Sequence, residues 1–263
     1  EKENDRLPTL RRGNRDRARI YLAGTESNPE VLEHYKDKKP YVLASFYYCE
    51  KIEKMLPWFG DFLLDSGAFT FMSSTKAKVD WNEYIVRYAD FINRNRIDKF
   101  FELDIDPVVG YEQVKQYRKK LETLTGKQSI PVWHKSRGID EYKRHCQEFP
   151  YVSIGGVVIG EIKPSEYKHF PTLIKYAHDN NCKLHCLGYT NLERLRHHHF
   201  DSVDSTRWNC ARFGRMEYFQ NGKMKVYDWR KHNVRLKTSE AKNMTMKTFG
   251  EWLKFQQYAE THL

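Results

Sequence analysis

Short apolar segments alternate with amphipathic ones along the chain from Ala18 onward. Runs rich in β-branched and aromatic residues predict strands, and apolar residues three or four positions apart predict helices. The predicted strands are Arg19–Ala23, Tyr41–Tyr47, Phe62–Leu64, Lys99–Leu103, Ile130–Trp133, Tyr151–Ile154, Lys183–Leu187 and Phe200–Val203. The predicted helices are Pro29–Tyr35, Trp81–Asn93, Tyr111–Leu124, Ile139–Cys146, Pro164–Asp179 and Asn191–His197, with a weaker helical pattern over Lys51–Gly60.

Eight predicted strands that alternate with helices in 263 residues indicate an α/β protein of the (β/α)8 TIM-barrel class. The alternative is an open, doubly wound sheet, although no GxGxxG motif follows an early strand. We therefore expect a single barrel domain over residues 18–263, preceded by a basic N-terminal arm at residues 1–17.

The pattern changes after Arg215. Met216–Phe219 and Lys223–Tyr227 flank Asn221-Gly222, a pair typical of the tight turn in a β-hairpin. An amphipathic helix over about Met246–Ala259 follows. We expect these elements to form a C-terminal extension of the barrel that begins at about residue 216.

Composition and charge narrow the choice of partners. An apolar content of 40% supplies a core, and no apolar run approaches the ~20 residues that span a bilayer. The N-terminus also lacks the apolar core of a signal peptide, so we expect a soluble, cytoplasmic protein without membrane contact. The net charge of +10 suits a polyanionic partner such as nucleic acid.

The cysteines are odd in number and scattered, which argues against a disulfide framework. They are Cys49, Cys146, Cys182, Cys186 and Cys210. A zinc site that joins some of them to His185 or to residues 197–199 is the alternative, but the ligand spacing is too wide for the usual motifs. We expect buried free thiols and no metal.

Polar residues and glycines gather where the predicted strands end, and the carboxyl ends of the strands carry the active site in a (β/α)8 barrel. These residues are Asp65, Asp104, His134, Gly155, Gly156, Gly188 and Asp201. Each has a structural alternative, since aspartates cap turns, a histidine can lie in the core and glycines turn the chain. Together, two carboxylates on opposite sides of a ribosyl carbon suit a glycosyl transfer by double displacement.

Three segments resemble motifs of the tRNA-guanine transglycosylases and occur in the family's order, over about residues 60–215. Residues 64–69, LDSGAF, resemble the D-S-G-G-F/Y-Q motif, and residues 153–161, SIGGVVIGE, resemble G-G-L-A-V-G-E. Residues 200–214, FDSVDSTRWNCARFG, resemble F-D-C-V-x-P-T-R-x-A-R-x-G.

The resemblance implies a TIM-barrel pentosyltransferase that exchanges guanine in a polynucleotide for a 7-deazaguanine base. It assigns Asp201 as the nucleophile on C1′ and Asp65 as the acid/base that moves the proton. Phe69 would stack on the base, and Asp104 would recognise its Watson–Crick edge. The other positions that it matches to the base-binding pocket are His134, Gly155, Gly156, Val157, Leu187 and Gly188.

Several departures from the family pattern point to a particular branch. Ala68, Thr70 and Ser205 replace a Gly, a Gln and a Pro of the motifs, and His134 stands where the family usually has Gln. The C-terminal C-x-C-x-x-C…H zinc subdomain, which helps the family to grip tRNA, is absent from the sequence. The chain therefore looks most like the phage and bacterial DNA-guanine transglycosylases, which insert bases such as 7-cyano-7-deazaguanine. The alternatives are a tRNA substrate and a catalytically silent barrel that binds nucleic acid.

A DNA substrate would require base flipping or a single-stranded site, because a guanine inside a duplex is out of reach. Arg207, Arg212 and Arg215 follow the expected nucleophile, and we expect them to contact phosphates near the flipped nucleotide. Ion pairs with Asp204 or nearby acids are the alternative. The resemblance places such an enzyme in the cytoplasm of a bacterium or of a phage-infected host, and it leaves the oligomeric state open.

Overall fold

The computed structural model describes residues 18–68, 70–71, 79–189, 193–232 and 237–263. The strands are β1 (Arg19–Ala23), β2 (Tyr41–Ser45), β3 (Asp61–Asp65), β4 (Val132–Trp133), β5 (Tyr151–Ile154), β6 (Lys183–Cys186), β7 (Ser202–Ser205), β8 (Arg215–Gln220) and β9 (Lys223–Asp228). The α-helices are α1 (Pro29–Tyr35), α2 (Cys49–Met55), α3 (Trp81–Arg94), α4 (Asp106–Val109), α5 (Tyr111–Thr125), α6 (Ile139–Glu148), α7 (Phe170–Asp179) and α8 (Thr238–His262). Short 3-10 segments include Thr25–Ser27, Phe46–Tyr48, Lys135–Arg137, Pro164–His169, Arg194–Arg196 and Arg207–Phe213.

The first seven strands form one parallel sheet in the order β3-β2-β1-β7-β6-β5-β4. From β1 to β3 and again from β4 to β7, each step to the next strand goes in the same direction across this sheet, and the step from β3 to β4 joins its two edges. A doubly wound sheet instead reverses direction at its middle. The segment at residues 99–102, which follows α3, pairs with both edge strands of the sheet. Phe100 forms a parallel bridge with Leu64 of β3, and Phe101 forms one with Ile130, just before β4.

The sheet has two faces with different contents, because side chains alternate along a strand. The outer face packs against the helices and includes Ile20, Leu22 and Val203. The inner face carries a smaller apolar cluster of Tyr21, Ala23, Leu43, Leu63, Phe101, Ile130 and Val132. Since Leu63 of one edge strand and Val132 of the other belong to the same cluster, the sheet curls around it.

Most element boundaries lie within two residues of the sequence prediction. The predicted strand at Lys99–Leu103 is instead two isolated bridges at Phe100 and Phe101, and the last helix begins at Thr238, earlier than the predicted Met246. The predicted strand at Ile130–Trp133 is shortened to Val132–Trp133, because Pro131 has no N–H for the ladder. The hairpin of β8 and β9 is confirmed, with Asn221 and Gly222 at positive φ values of 53° and 72°. The predicted helix at Pro164–Asp179 divides into a 3-10 segment and α7.

The eighth predicted barrel strand is displaced along the chain. Phe200–Val203 was expected, whereas β7 runs from Ser202 to Ser205. Ser202 pairs with Arg19 of β1, and Ser205 pairs with Leu22. The strand therefore ends two residues later than the sequence suggested, and this shift decides which aspartate reaches the carboxyl-end edge of the sheet.

Helix α8 is tied to the sheet by Gln256, whose residue is only 4% exposed. The Gln256 amide nitrogen donates to the carbonyl oxygens of Ile20 and Tyr41 over 2.6 and 3.2 Å, and its oxygen accepts from the Tyr41 N–H over 3.2 Å. These bonds satisfy backbone groups of β1 and β2 that α8 would otherwise leave buried without partners.

No helix in the described part of the chain is both long and apolar enough to cross a membrane. The expected basic arm at residues 1–17 lies outside the described residues, as does the start of the helix expected at Asn191–His197. Within that second range the structure describes a 3-10 segment at Arg194–Arg196.

Gln256→Ala is expected to lower the free energy of unfolding by about 2 to 4 kcal/mol, because it leaves buried backbone groups of β1 and β2 unpaired. Urea denaturation measures the change. The control is Gln257→Ala on the exposed face of the same helix, for which we expect a change within about 0.5 kcal/mol. Equal effects of the two substitutions would show that Gln256 does not hold α8 to the sheet.

Candidate active site

Two aspartates, Asp65 and Asp204, lie on the inner face at the carboxyl ends of β3 and β7. Asp65 is level with Ser45 of β2, and Asp204 is level with Tyr21 of β1, the strand beside β2. Burial raises the pKa of Asp65 to about 7, and the negative charges of Asp104 and Asp204 add to this rise. The charges of Asp104 and Asp204 therefore both act on Asp65 at this edge of the sheet.

The turn after β3 fixes the Asp65 side chain. The Gly67 N–H donates to Asp65 Oδ2 over 3.0 Å. Gly67 has a φ of 68° and lies against Ser45 and the Tyr47 backbone, so that a side chain at this position would clash. The tight turn thus explains the glycine that the family motif also has here.

Glu26 adds a fourth carboxyl group at this edge, in the 3-10 turn after β1. The residue is 7% exposed, and burial raises its own pKa. Its charge also contributes to the raised pKa of Asp65. Glu26 Oε2 is buried without a hydrogen-bond partner among the described residues, which marks it as a group that a ligand could satisfy.

Asp204 is held by hydrogen bonds from the end of β6. The Gly188 N–H donates to Asp204 Oδ1 over 2.7 Å, and His185 Nε2 lies 3.2 Å from the same oxygen. His185 is itself buried and contacts the Ser202 hydroxyl through Nδ1. With a side chain only 10% exposed, Asp204 is a fixed carboxylate on the inner face.

Asp201 is not beside Asp65, contrary to the sequence prediction. It precedes β7, so it lies at the amino end of this strand, and it has the same parity as Val203, which packs against the helices. Its Oδ2 accepts from the Leu184 N–H over 2.8 Å and lies 2.9 Å from His178 Nε2 of α7. Both the strand end and the strand face separate Asp201 from Asp65, and its contacts are structural.

Asp104 belongs to a chain of polar side chains that runs through His134. His134 Nε2 lies 3.4 Å from Asp104 Oδ2, and His134 Nδ1 lies 3.0 Å from Glu161 Oε2. Although burial alone would lower it, the hydrogen bonds and charges of these two carboxylates raise the pKa of His134 above its usual value. Glu161 also accepts from the Ser136 N–H over 2.7 Å.

Asp106, the other acid of the Asp104-Ile105-Asp106 segment, has a structural role. Arg137 donates to both of its carboxylate oxygens, over 2.8 and 2.6 Å, and also to the fully buried Glu102. Asp104 is therefore the acid of this segment that takes part in the site.

The glycines expected in the base pocket lie along this edge. Gly155 packs against the His134 ring, and Gly156, with a φ of 84°, packs against Glu161, so that neither position has room for a side chain. Leu187 packs against the inner-face cluster near Asp204. The Val157 side chain packs instead with the outer cluster, so only its backbone is placed to meet a ligand.

The arginines expected to bind phosphate have different surroundings. Arg207 donates to Glu217 through Nε over 2.7 Å, which is an ion pair but not the one expected with Asp204. The Arg212 guanidinium lies 4.6 Å from the centre of the Phe213 ring, and both residues are exposed. Arg215 is half-buried, and its Nε has no hydrogen-bond partner among the described residues. Of these three arginines, Arg212 is thus the one whose exposure best suits a phosphate contact.

Phe69, the residue expected to stack on the base, lies outside the described residues. The sequence analysis did not single out Asp204, Glu161 or Glu26 as site residues. The alternation along β7 was the signal for Asp204, because Ser202 and Asp204 share one face and Asp201 and Val203 share the other. Glu161 stood in the segment that resembles the family, and no pattern marked Glu26.

In the part of the chain that the structure describes, no three His, Cys, Asp or Glu side chains are grouped so as to hold a metal ion. The described cysteines are free thiols.

No protein-family model matches the chain, and no curated protein matches its sequence.

Asp65→Asn is expected to stabilise the fold at pH 8 and to do so less at pH 4. The folded state raises the pKa of Asp65 from 3.8 to about 7, so the folded protein loses stability as the pH rises between these values. Removing the ionisable group should raise the free energy of unfolding at pH 8 by on the order of 2 kcal/mol. Urea denaturation at the two pH values measures this difference.

The matched control is Asp61→Asn, at the other end of β3 and on the same face. Although burial opposes it, hydrogen bonds and charges from Lys99 and Arg19 lower the pKa of Asp61. This substitution should therefore destabilise the fold at pH 8. A destabilising Asp65→Asn at pH 8 would contradict the raised pKa of Asp65.

Proposed function

We propose that the protein is a guanine transglycosylase that exchanges guanine in DNA for a 7-deazaguanine base. The observation that carries this proposal is the pairing of Asp65, with a pKa of about 7, with the fixed carboxylate of Asp204 at one edge of the sheet. Double displacement at a ribosyl carbon needs one carboxylate as nucleophile and one acid that can give up and take back a proton.

Asp204 takes the role of nucleophile in this proposal, in place of Asp201. Its carboxylate attacks C1′ as the bond from C1′ to the departing guanine breaks, which forms a covalent deoxyribosyl ester. The Gly188 N–H holds Oδ1 and so orients the carboxylate for this attack. Asp201 has no part in the chemistry, because it bonds to His178 and the Leu184 backbone at the opposite end of β7.

Asp65 takes the role of acid and base. With a pKa of about 7 it is partly protonated at neutral pH, so it can donate a proton to the departing guanine. The resulting carboxylate then accepts a proton from the incoming 7-deazaguanine as that base attacks C1′ and releases Asp204. The second half of the exchange therefore restores the protonated Asp65 and the free Asp204 carboxylate.

The base itself would meet Asp104, His134 and the Gly155-Gly156 backbone. A guanine edge presents N–H donors beside a carbonyl acceptor, and a carboxylate next to a histidine of raised pKa offers the complementary acceptor and donor. Because Gly155 and Gly156 have no side chains, His134 and Glu161 pack directly against their backbone, which holds the His134 ring at the edge where the base would lie. The stacking role of Phe69 remains a prediction.

We also propose that the parallel sheet belongs to a closed (β/α)8 barrel with residues 99–102 as the missing strand. Backbone hydrogen bonds support this, since Phe101 N donates to Leu64 O over 2.9 Å and Ile130 N donates to Phe100 O over 2.8 Å. In such a barrel the edge that carries Asp65 and Asp204 is the carboxyl-end rim, where barrel enzymes hold their active sites.

Asp204→Asn should abolish base exchange, whereas Asp201→Asn should retain it within about threefold, because only Asp204 touches the reacting carbon in this mechanism. The assay follows incorporation of radiolabelled guanine into DNA. Circular dichroism of both variants checks that each is folded. Retained exchange in Asp204→Asn, or complete loss in a folded Asp201→Asn, would return the nucleophile to Asp201.

The nucleic-acid substrate is decided by presenting the wild-type protein with labelled 7-cyano-7-deazaguanine and either DNA or tRNA. We expect label in DNA, because the residues that follow Arg215 form β9 and α8 where the resemblance would place the zinc-binding segment with which the related enzymes grip tRNA. Label in tRNA alone would identify a tRNA enzyme. Binding of both nucleic acids without label in either would identify the silent barrel.

A further inference from the structure

The two most exposed of the large apolar side chains identified in the described residues lie next to each other at the candidate active site. Val158 is 77% exposed and Ile159 is 68% exposed, whereas the others range from 36 to 54%. Both belong to the turn Val157–Gly160, which follows Gly156 at the carboxyl end of β5. We call Val158 and Ile159 the apolar tip.

The turn that carries the apolar tip is anchored at its base. The N–H groups of Glu161 and Ile162 donate to the Gly156 carbonyl oxygen over 2.9 and 3.2 Å. Glu161 contacts His134 and the Ser136 N–H, and the Ile162 side chain is buried in the outer cluster. The tip therefore projects from a fixed support.

The apolar tip lies beside the proposed nucleophile. A Cβ atom built on Gly188 would fall 2.1 Å from Val158 Cγ2, so Val158 lies directly against Gly188. The Gly188 N–H is the group that bonds to Asp204. The apolar tip is therefore joined to Asp204 through a single residue, Gly188.

Cationic side chains stand on segments that adjoin the turn in sequence or through its hydrogen bonds. Lys163 follows Ile162 and is exposed. Lys135, beside Ser136, pairs with Glu166 and still has a 52% exposed side chain. Arg194 lies over the Tyr167 ring at 5.7 Å. An apolar point with cations on adjoining segments complements a nucleic acid, which has phosphates outside and stacked bases inside.

We propose that Val158 and Ile159 act as a wedge that fills the gap in the base stack left when the target guanine flips out of duplex DNA. This inference rests on the proposed function. Flipping costs the stacking and pairing energy of the extracted base. Apolar side chains are known to insert between base steps in architectural DNA-binding proteins, and in the vacated position they would replace part of the lost stacking contact. Val and Ile suit the task because β-branched side chains have little rotamer freedom to lose.

The experiment compares wild type with the double variant Val158→Ser, Ile159→Ser on double-stranded and heat-denatured DNA, using radiolabelled guanine. The variant should lose at least about tenfold in exchange on the duplex and less than about threefold on the single strands, which need no stack to be opened. On a duplex with mismatches at the guanines, the serine variant should regain most of the exchange that it loses on the matched duplex. The double variant Val158→Leu, Ile159→Leu should keep duplex activity, because it retains the apolar surface.

The matched control is Val86→Ser, an exposed valine of α3 that is 41% exposed and away from the strand ends, and it should leave both activities unchanged. Equal losses on duplex and single strands would overturn the wedge, and so would full duplex activity in the serine variant. A wild-type protein that labels only single strands or only tRNA would also overturn it. Light scattering that shows a wild-type dimer, dissociated by the serine substitutions, would assign the tip to self-association instead.

The two proposals fail differently. If the wild-type protein labels no nucleic acid at all, the proposed function itself is wrong. If it labels duplex DNA and the serine variant matches it, only the wedge is wrong.

Discussion

Mutual repulsion among carboxyl groups is the constraint that organises this edge of the sheet. Two ionised carboxylates about 5 Å apart at a protein surface repel by roughly 3 kcal/mol, so a cluster of four cannot remain fully charged cheaply. The fold gives each group a different environment. Asp65 keeps a proton near neutrality, Asp104 faces His134, Asp204 receives the Gly188 N–H, and burial raises the pKa of Glu26. The four carboxyl groups thus have four different sets of neighbours, and burial is the first cause of the raised pKa values of Asp65 and Glu26.

Strand β3 shows how strongly the surroundings of an aspartate set its pKa. Asp61 and Asp65 stand at its two ends and share the inner face. At the amino end, Arg19, Lys99 and the Tyr21 hydroxyl surround Asp61, and the cations lower its pKa in spite of burial. At the carboxyl end, Asp65 meets other acids and its pKa rises. At the amino end, opposite charges form ion pairs that join neighbouring strands. At the carboxyl end, carboxyl groups of like charge lie near one another, which is an arrangement found at many functional sites.

Much of the fold was predictable from local patterns, and the site was predictable only in part. Periodicity placed β1, β5 and α1 at their observed boundaries, because each is a short, strongly patterned segment between turn residues. The ends of β3 and of the segment at residues 99–102 supplied Asp65 and Asp104 correctly as residues of one edge. Glu26 could not be found in this way, because its burial depends on how the turn after β1 packs under its neighbours, and no local pattern records that.

The error at Asp201 is of a different kind, because the information was present in the sequence. In a strand, a displacement of one residue moves every side chain to the opposite face. Turning Asp201 inward would also turn Val203, which is 1% exposed against the helices, into the polar site, and it would turn Asp204 toward the apolar outer layer. The observed register instead puts Ser202 and Asp204 inward together, where His185 contacts both. Residues 200–214 therefore match the transglycosylase motif in residue type, but Asp204, three residues after Asp201, is the aspartate that lies on the inner face near the carboxyl end of β7.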